Sequence, residues 1–430
     1  MKKILKAVLI GYIWFMYAQS QTILTLDQCL SLAREYSPRL RTVQNIIRST
    51  ELAHDEILTT RLPQLRLTAS PIYAPFGKKF GYDPALSNGG QILGEVVLQQ
   101  SLYDGGIRSL KLDQNTIELE RLSQEYRLSE RDLTFSVKQL FIETLRSQQE
   151  IQLEQESVQQ LTDYLDLVKR LYDGGSASYT DVLKTELQLS SARISYQKAS
   201  NEFAVNKYSL AELIGNAIDT SFNIQGSLDT ARSATIDSLI SMANLDSIRY
   251  LELSIADLEL RSGILDIQMT QREHWPVVSL AADAGYANSG ENIELVPADR
   301  YSALGFSLGI VLDIPLINWG AINLRVQQKQ AAVDNLRLES NLLQRSIRSE
   351  TKRITLQLLR SRERLQAIRL SLKSAEENFL LTKSKFVGGG VLSMEVLSAQ
   401  QLLTEIRLSE LQTLADIQLL SAKLEQLTTH

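Results

Sequence analysis

Two carboxylates stand at matching places in this 430-residue chain and are its best candidates for chemistry. Asp181 and Glu395 lie 214 positions apart, and each follows a glycine pair, Gly174-Gly175 or Gly388-Gly389, by the same interval. If symmetric copies brought these side chains together, a ring of carboxylates would attract cations and narrow an opening electrostatically. The pattern therefore indicates ion selection at an opening rather than the making or breaking of bonds.

Residues suited to catalysis or metal binding are few and scattered. The chain has three histidines, His54, His274 and His430, and no set of residues shows the spacing of metal ligands. The glycine pairs do not lead from a strand into a helix, as a phosphate-binding loop does. The single cysteine, Cys29, excludes an intrachain disulfide and is predicted to be a small core residue. We therefore predict no enzymatic activity, no metal and no cofactor.

Local structural roles compete with the functional interpretation at these turns. Ser178 and Asp181 fit a helix capping box, which stabilises a helix start without any ligand. Glu395 lacks that explanation, because Leu392 stands where Ser178 does, although a carboxylate near a helix start is favourable in any case. The glycines can serve simply to reverse the chain. Both roles are compatible, since a turn can also be a contact surface.

Long helices must position these turns. The stretches 107–173 and 321–387 are each 67 residues long and contain neither glycine nor proline, so each is predicted to form one helix of roughly 100 Å. Shorter return helices follow, which gives antiparallel hairpins over about 107–214 and 321–426, packed through a coiled-coil seam of leucine and isoleucine. The glycine turns are thereby placed at the far ends of two helical hairpins.

Four other segments change from helical periodicity to alternation, at about 65–73, 92–103, 277–287 and 303–316. Their length of ~10 residues and the aromatic residues near their ends favour transmembrane barrel strands over half-buried soluble hairpins. Four strands cannot enclose a lumen, and an open sheet edge in lipid leaves backbone groups unpaired. We therefore expect a mixed α and β membrane protein in which symmetric copies supply the missing strands.

The order of helix, strand pair and long hairpin occurs twice, which predicts two structural repeats. The first covers 21–233 and ends in a collar segment at about 217–233, and the second covers 234–430. Residues 1–20 carry three lysines and a short apolar run, typical of a signal peptide, and Cys29 lies too far beyond them for lipidation. The formal net charge of −5 leaves no basic surplus for binding nucleic acid.

Six short blocks occur in a fixed order along the chain and are specific as a set. They are LTLDQCL at 24–30, RLPQL at 61–65, LYDGG at 102–106, YDGGSASYTDVL at 172–183, PLINWG at 315–320 and FVGGGVLSMEVL at 386–397. In these blocks the mature chain resembles the TolC-like outer-membrane efflux protein family along its whole length.

The resemblance implies a homotrimer whose four strands per chain complete a twelve-stranded barrel in the lipid of the outer membrane, continued by a helical tunnel through the periplasm. Such a protein is the passive exit duct of a tripartite efflux pump, together with a periplasmic adaptor protein and an inner-membrane transporter. The alternatives are an exit duct for type I protein secretion and, in a different class, a secreted coiled-coil scaffold without a pore.

The resemblance also implies what the two turns do. They would form the periplasmic tip, where the adaptor docks and the tunnel narrows, and the residues concerned are Gly174, Gly175, Ser178, Gly388, Gly389 and Gly390. Asp181 and Glu395 would form an acidic ring at the tunnel entrance. Some family members carry an arginine after the second turn and a second acid one helical turn later. This chain has Val391 and Ser398 there, so a salt bridge of that kind is not expected.

Overall fold

The computed structural model describes residues 23–72, 91–215, 222–228, 237–238, 240–241, 250–289 and 302–428. The expected signal peptide at 1–20 lies outside these ranges, as do Tyr73 at the expected end of the first strand and most of the expected collar segment at 217–233. Within the described ranges, no helix is both long enough and apolar enough to cross a membrane.

Helices and strands follow one another along the described ranges of the chain. The helices are α1 (Leu26–Tyr36), α2 (Pro38–Thr59), α3 (Ile107–Asp173), α4 (Tyr179–Leu213), α5 (Leu251–Arg272), α6 (Ala321–Val387) and α7 (Ser393–Thr428). The strands are β1 (Ile23–Leu24), β2 (Gln64–Ile72), β3 (Gln91–Asp104), β4 (Asn223–Ile224), β5 (Val277–Ser289) and β6 (Ser302–Asp313). Helices α3 and α6 coincide with the two 67-residue stretches that lack glycine and proline.

Contacts divide the chain into two compact units. We call residues 1–42, 126–251 and 343–430 the hairpin unit, and residues 43–125 and 252–342 the sheet unit. Helices α2, α3 and α6 contribute residues to both. These units reflect spatial contacts, and their boundaries differ from those of the two repeats predicted from the sequence at 21–233 and 234–430.

The hairpin unit has a core in which α1 packs on α3, α4 and α7. Cys29 is fully buried there, as predicted from the sequence, and burial raises the pKa of its thiol to about 11. The buried members of this core are Cys29, Ala33, Val137, Phe141, Ile142, Leu145, Leu210, Ala211, Ile214, Phe222, Ile224, Leu228, Leu411 and Ala415. Beside it the short strands β1 and β4 pair in parallel, which the sequence analysis did not anticipate.

The sheet unit holds an antiparallel sheet in the order β2-β3-β5-β6. Helix α5 connects the first parts of α3 and α6, because Asp266 accepts hydrogen bonds from Gln114 at 2.7 Å and from Lys329 at 2.8 Å. The Arg272 guanidinium donates to the Gly106 carbonyl at 3.0 Å, where β3 turns into α3. These bonds join α5 to both long helices and to the turn between β3 and α3.

The largest difference from the predicted strand boundaries is at the end of β6. Strand β6 ends at Asp313 rather than at 316. Its last residue pairs with Val277, the first residue of β5, and the residue before Val277 is Pro276, which has no N–H to donate. The partner strand therefore sets the end of the ladder, and Pro315 could not have continued it.

Candidate functional site at the hairpin turns

Both hairpin turns are built on the same helix-ending motif. After α3, the Ser176 and Gly175 N–H groups donate back to helix carbonyls at 2.7 Å and 2.9 Å. After α6, the Gly390 and Gly389 N–H groups donate in the same pattern at 2.9 Å and 3.0 Å. This pair of bonds is the Schellman motif, which satisfies the last carbonyls of a helix and reverses the chain.

The five glycines of the two turns differ in whether the backbone conformation at their position requires glycine. Gly175 and Gly389 have φ of +74° and +75°, a left-handed conformation that residues with side chains rarely adopt. Gly174, Gly388 and Gly390 lack a positive φ, and a Cβ atom at any of them would come no closer than 3.5 Å to other atoms. Chain reversal therefore requires glycine at two positions and leaves the other three open to another role.

Ser178 and Asp181 form a capping box, which confirms the local role that the sequence indicated. The Asp181 N–H donates to Ser178 Oγ at 3.2 Å, and the Ser178 N–H donates to the Asp181 carboxylate at 3.1 Å. The Ser178 hydroxyl donates to the same carboxylate oxygen at 2.6 Å. Asp181 is thus engaged at the start of α4 and only partly exposed, while its role in ion selection stays a prediction.

Glu395 occupies the equivalent place on α7 but has different surroundings. Leu392 stands at the cap, so the Glu395 N–H donates to a backbone carbonyl, that of Leu392, at 3.0 Å. The Glu395 side chain is exposed, and it forms no hydrogen bond or ion pair with any residue that the structure describes. This carboxylate is therefore available to ions or to a partner, and its orientation toward a lumen stays a prediction.

A buried tyrosine that the sequence analysis did not single out joins the two hairpins. The Tyr164 hydroxyl on α3 lies 3.0 Å from the hydroxyl of Ser393, the first residue of α7. The Tyr164 ring packs against Phe386 at the end of α6, with ring centroids 5.5 Å apart. Burial raises the pKa of Tyr164 to about 12, while the Ser393 hydrogen bond lowers this pKa and the negative charge of Asp181 raises it.

These contacts belong to one apolar cluster that receives side chains from all four hairpin helices. Its buried members are Leu161, Tyr164, Leu165, Val168, Val182, Leu189, Ala192, Phe386, Val396 and Leu397. The starts of α4 and α7, which carry Asp181 and Glu395, therefore lie beside one shared core. No sequence signal pairs Tyr164 with Ser393, because the packing of whole helices sets the register between them.

The surface of the first turn also carries an aromatic pair. The rings of Tyr172 and Tyr179 lie 5.8 Å apart, on either side of the turn, and their side chains are 44% and 59% exposed. Exposed tyrosines on a turn are typical of surfaces that contact another protein, because one end of the ring is apolar and the other forms hydrogen bonds.

Comparison with known proteins agrees with the motifs and the fold. The family described as outer membrane efflux protein matches residues 30–216 and 248–430, which include both turns. Outer membrane protein TolC of Vibrio cholerae is 23% identical over 397 residues, covering 87% of this chain and 83% of its own length. Alkaline protease secretion protein AprF of Pseudomonas aeruginosa is 20% identical over 323 residues, covering 70% of this chain and 65% of its own length.

A solved structure shares the fold across nearly the whole chain. The outer membrane protein VceC of Vibrio cholerae superimposes with a TM-score of 0.74 at 17% identity, over 93% of this chain and 95% of its own. The family suggested by the sequence blocks is thereby confirmed. The chain belongs to the outer membrane efflux protein family and serves as an outer-membrane efflux channel.

Proposed function

We propose that this chain is the passive outer exit duct of a tripartite efflux system, assembled as a homotrimer and joined to a periplasmic adaptor protein and an inner-membrane transporter. The main observation that supports this proposal is a four-stranded sheet with an open edge on each side. Strands β2 and β6 are the edge strands, and neither has a second partner in the described part of the chain. Three copies joined edge to edge would supply twelve strands and leave no edge in lipid.

The two faces of β6 support a position in the membrane. Leu304, Phe306 and Leu308 are 82%, 88% and 73% exposed, so this apolar face is unpartnered in the single chain. The residues between them, Gly305 and Ser307, are small and occupy the opposite face. An apolar outer face and a small, polar inner face are the composition of a barrel strand around a water-filled lumen.

The hairpin helices also present unpartnered apolar rows. On α4, side chains exposed by 48%, 67% and 63% recur every eleven residues, at Leu183, Ile194 and Val205. On α6, side chains exposed by 40%, 74% and 61% recur at the same interval, at Leu359, Leu370 and Leu381. Eleven residues are close to three helical turns, so each row lies on one face. Neighbouring copies of the chain would cover these rows and close a helical tunnel.

The hairpin turns are proposed as the periplasmic tip that contacts the adaptor. Gly174, Gly388 and Gly390 are glycines that the backbone does not require, and the exposed pair Tyr172 and Tyr179 lies beside the first of them. Gly175, Gly389 and Ser178 would support the same surface through the turn conformations described above. Small residues beside exposed aromatic rings allow close approach of another helix.

Asp181 and Glu395 are proposed to form an acidic ring at the tunnel entrance. A trimer would carry six of these carboxylates, each within the first turn of a return helix. Converging carboxylates would favour cations at the entrance.

Protein secretion is a second candidate within the same duct architecture. It is favoured by the similarity to AprF, which is described as an alkaline protease secretion protein. The exit duct proposed here would serve either cargo, because recognition and energy come from the adaptor and the transporter.

The proposal is tested by purifying the chain from outer membranes in detergent and measuring its mass by light scattering and its conductance in planar bilayers. We expect a species with the mass of three chains, separable by heating, that gives discrete conductance steps. A monomer that is released from membranes by a salt wash and never inserts would overturn the proposal in favour of a scaffold without a pore.

A further inference from the structure

The two turns that lead from a strand into a long helix have the same conformation. In the turn at 104–106, the N–H of the third residue donates to the side chain of the first, Asp104, at 3.1 Å. In the turn at 318–320, the third N–H donates to the side chain of Asn318 at the same distance. The second and third residues of both turns have positive φ. Each residue of the later turn lies 214 positions after its counterpart.

The turns that lead from a helix into β2 and β5 also correspond. The Leu62 N–H donates to the carbonyl three residues earlier at 2.9 Å, and the Trp275 N–H donates in the same way at 2.9 Å. A proline follows each of them, and the strand begins directly after it. Leu62 and Trp275 are 213 positions apart, so each residue at the start of β2 has a counterpart at the start of β5.

Within the chain, β3 extends beyond its first partner and pairs with the next strand. Its ladder with β2 ends where Gln99 pairs with Gln64, and its last five residues, 100–104, lie beside β5 alone. The turn that follows packs on the same neighbour, because a Cβ atom at Gly105 would lie 3.0 Å from the Trp275 Cβ. The end of β3 is thus covered by β5 and by the turn before it.

The chain continues beyond β6 in the same way but without a partner. The ladder of β6 with β5 ends at Asp313, which lies 214 positions after Gln99. The next five residues, 314–318, pair with no strand in the part of the chain that the structure describes. Leu316 is exposed, and the Trp319 side chain just beyond this segment is 92% exposed. The counterpart of the covered end of β3 is therefore bare in the single chain.

We propose that β2 of a neighbouring copy covers residues 314–318 in the register that joins β3 to β5, and that Trp319 packs on Leu62 of that copy. The proposal rests on the homotrimer proposed above and adds which residues meet at the seam between copies. Trp319 stands where Gly105 does, and Leu62 stands where Trp275 does. The small residue on a large one within the chain is then matched by a large residue on a smaller one between copies.

The faces of the strands agree with this register. It places Leu312 opposite Ala69 of the neighbouring copy, as Leu98 lies opposite Ala282 within the chain. Ala69 shares a row with Leu304 through β3 and β5, so it lies on the apolar face, which Leu312 also occupies. A shift by one residue would set the apolar face of one strand beside the polar face of the other.

Two features favour a second copy over the lipid surface as the partner. Pro315 has no N–H, and it corresponds to Ser101, where the ladder between β3 and β5 becomes irregular. Proline is tolerated at such irregularities, so it does not prevent pairing there. Lipid can cover the ring of Trp319, but it cannot pair an open strand edge. A neighbouring β2 satisfies both needs.

Disulfide cross-linking of the full-length chain in outer membranes tests the register. Val311→Cys with Ser70→Cys joins two positions that the register sets directly opposite, where Cα atoms are about 4.5–5.5 Å apart and a disulfide can form. Val311→Cys with Thr68→Cys is the matched control, because these positions would be diagonal neighbours at about 7–8 Å. We expect about tenfold more covalent trimer from the first pair after mild oxidation. The wild type should give none, because Cys29 is buried.

An exchange of side-chain size tests the contact between Trp319 and Leu62. Trp319 alone among the described residues other than glycine has a positive φ, so Trp319→Gly should be neutral or stabilising if the ring has no protein partner. We expect instead that Trp319→Gly lowers the temperature at which the trimer dissociates by several degrees. Adding Leu62→Trp recreates the pairing of Gly105 with Trp275 and should restore the wild-type temperature.

The outcomes separate the seam from the homotrimer itself. Covalent trimer that forms equally well or better through Thr68 would overturn the register while the homotrimer stands. A loss in Trp319→Gly that Leu62→Trp does not restore would overturn the contact and assign the ring to the lipid surface, and no loss would overturn it as well. A wild type that runs as a monomer before oxidation would overturn both the homotrimer and the seam.

Discussion

The hydroxyl groups of Tyr164 and Ser393 lie 3.0 Å apart, and the two residues are only 3% and 1% exposed. Tyr164 belongs to the first hairpin and Ser393 is the first residue of the return helix of the second. The hydrogen bond therefore joins the two hairpins near their turns, far apart in sequence. Because both groups are buried, water cannot easily replace a partner that is removed.

This hydrogen bond predicts a specific pattern in a double-mutant cycle. Tyr164→Phe and Ser393→Ala should each lower the free energy of unfolding by about 1–3 kcal/mol, because each leaves the buried hydroxyl of the other residue without its hydrogen-bond partner. The double variant should lose clearly less than the sum of the two, since no unpaired group then remains. Denaturant unfolding of the detergent-solubilised protein provides the measurement. Additive losses would show that the two hydroxyls do not interact.

The raised pKa of Tyr164 predicts a loss of stability at high pH. The folded-state pKa of about 12 lies above the ordinary tyrosine pKa of about 10, so the unfolded chain releases this proton first. Stability from this group is fully present below pH ~10 and falls as pH rises toward 12, by at most about 1.4 kcal/mol per pH unit. Tyr164→Phe should show a shallower decline across that window. Unfolding midpoints measured at a series of pH values test this.

The turn glycines divide into a sensitive pair and a matched control pair. Gly175→Ala and Gly389→Ala should each destabilise the chain by roughly 1–2 kcal/mol, because φ near +75° is unfavourable for alanine. Gly174→Ala and Gly388→Ala should be neutral or slightly stabilising, because neither position has a positive φ or a close neighbour.

The control pair also reports on the proposed adaptor contact. If Gly174→Ala or Gly388→Ala lowers efflux in cells while thermal stability is unchanged, the side of the turn touches a partner. Full efflux by both alanine variants and by the bulkier variant Gly390→Leu would show that the turns are not part of the adaptor interface.

Sequence periodicity predicted the long helices more accurately than the end of β6 or the contact between the two hairpins. Helices α3 and α6 are bounded by glycine turns, which are local signals, whereas the end of β6 depends on Pro276 in its partner strand. The capping box at Ser178 was visible because its residues lie three positions apart. The Tyr164–Ser393 bond could not be predicted in this way, because its partners are 229 positions apart and meet only after whole helices pack.

Ion selection at the proposed entrance is tested by removing charge without changing shape. Glu395→Gln combined with Asp181→Asn should shift the reversal potential in asymmetric KCl toward zero, because six carboxylates per trimer would be neutralised. Single-channel recordings in planar bilayers provide the measurement. An unchanged reversal potential would exclude these residues from the entrance ring.

A control separates the charge of Asp181 from its capping role. Ser178→Ala breaks the capping box and keeps the carboxylate, so it should lower stability by about 0.5–2 kcal/mol and leave ion preference intact. A change of ion preference in Ser178→Ala would mean that the position of the carboxylate, and not its charge alone, decides selectivity.

The membrane position of β6 is tested by two neighbouring residues on opposite faces. Phe306→Arg places a charge on the apolar face and should destabilise the assembly by about 2–4 kcal/mol if that face meets lipid near the bilayer centre. Ser307→Arg places the same charge on the other face, next to Asp283, which already accepts a hydrogen bond from Ser307. An arginine there can pair with that carboxylate and remain in water.

We therefore expect Phe306→Arg to lower the yield of heat-resistant trimer in outer membranes sharply, whereas Ser307→Arg should assemble normally and alter conductance. A difference between the two variants would report on the face of the strand alone, because the two positions are adjacent in sequence and receive an identical side chain. Equal tolerance at both would mean that the apolar face of β6 is not in lipid. Equal damage at both would point to a soluble sheet packed on its two faces, and the barrel would have to be abandoned.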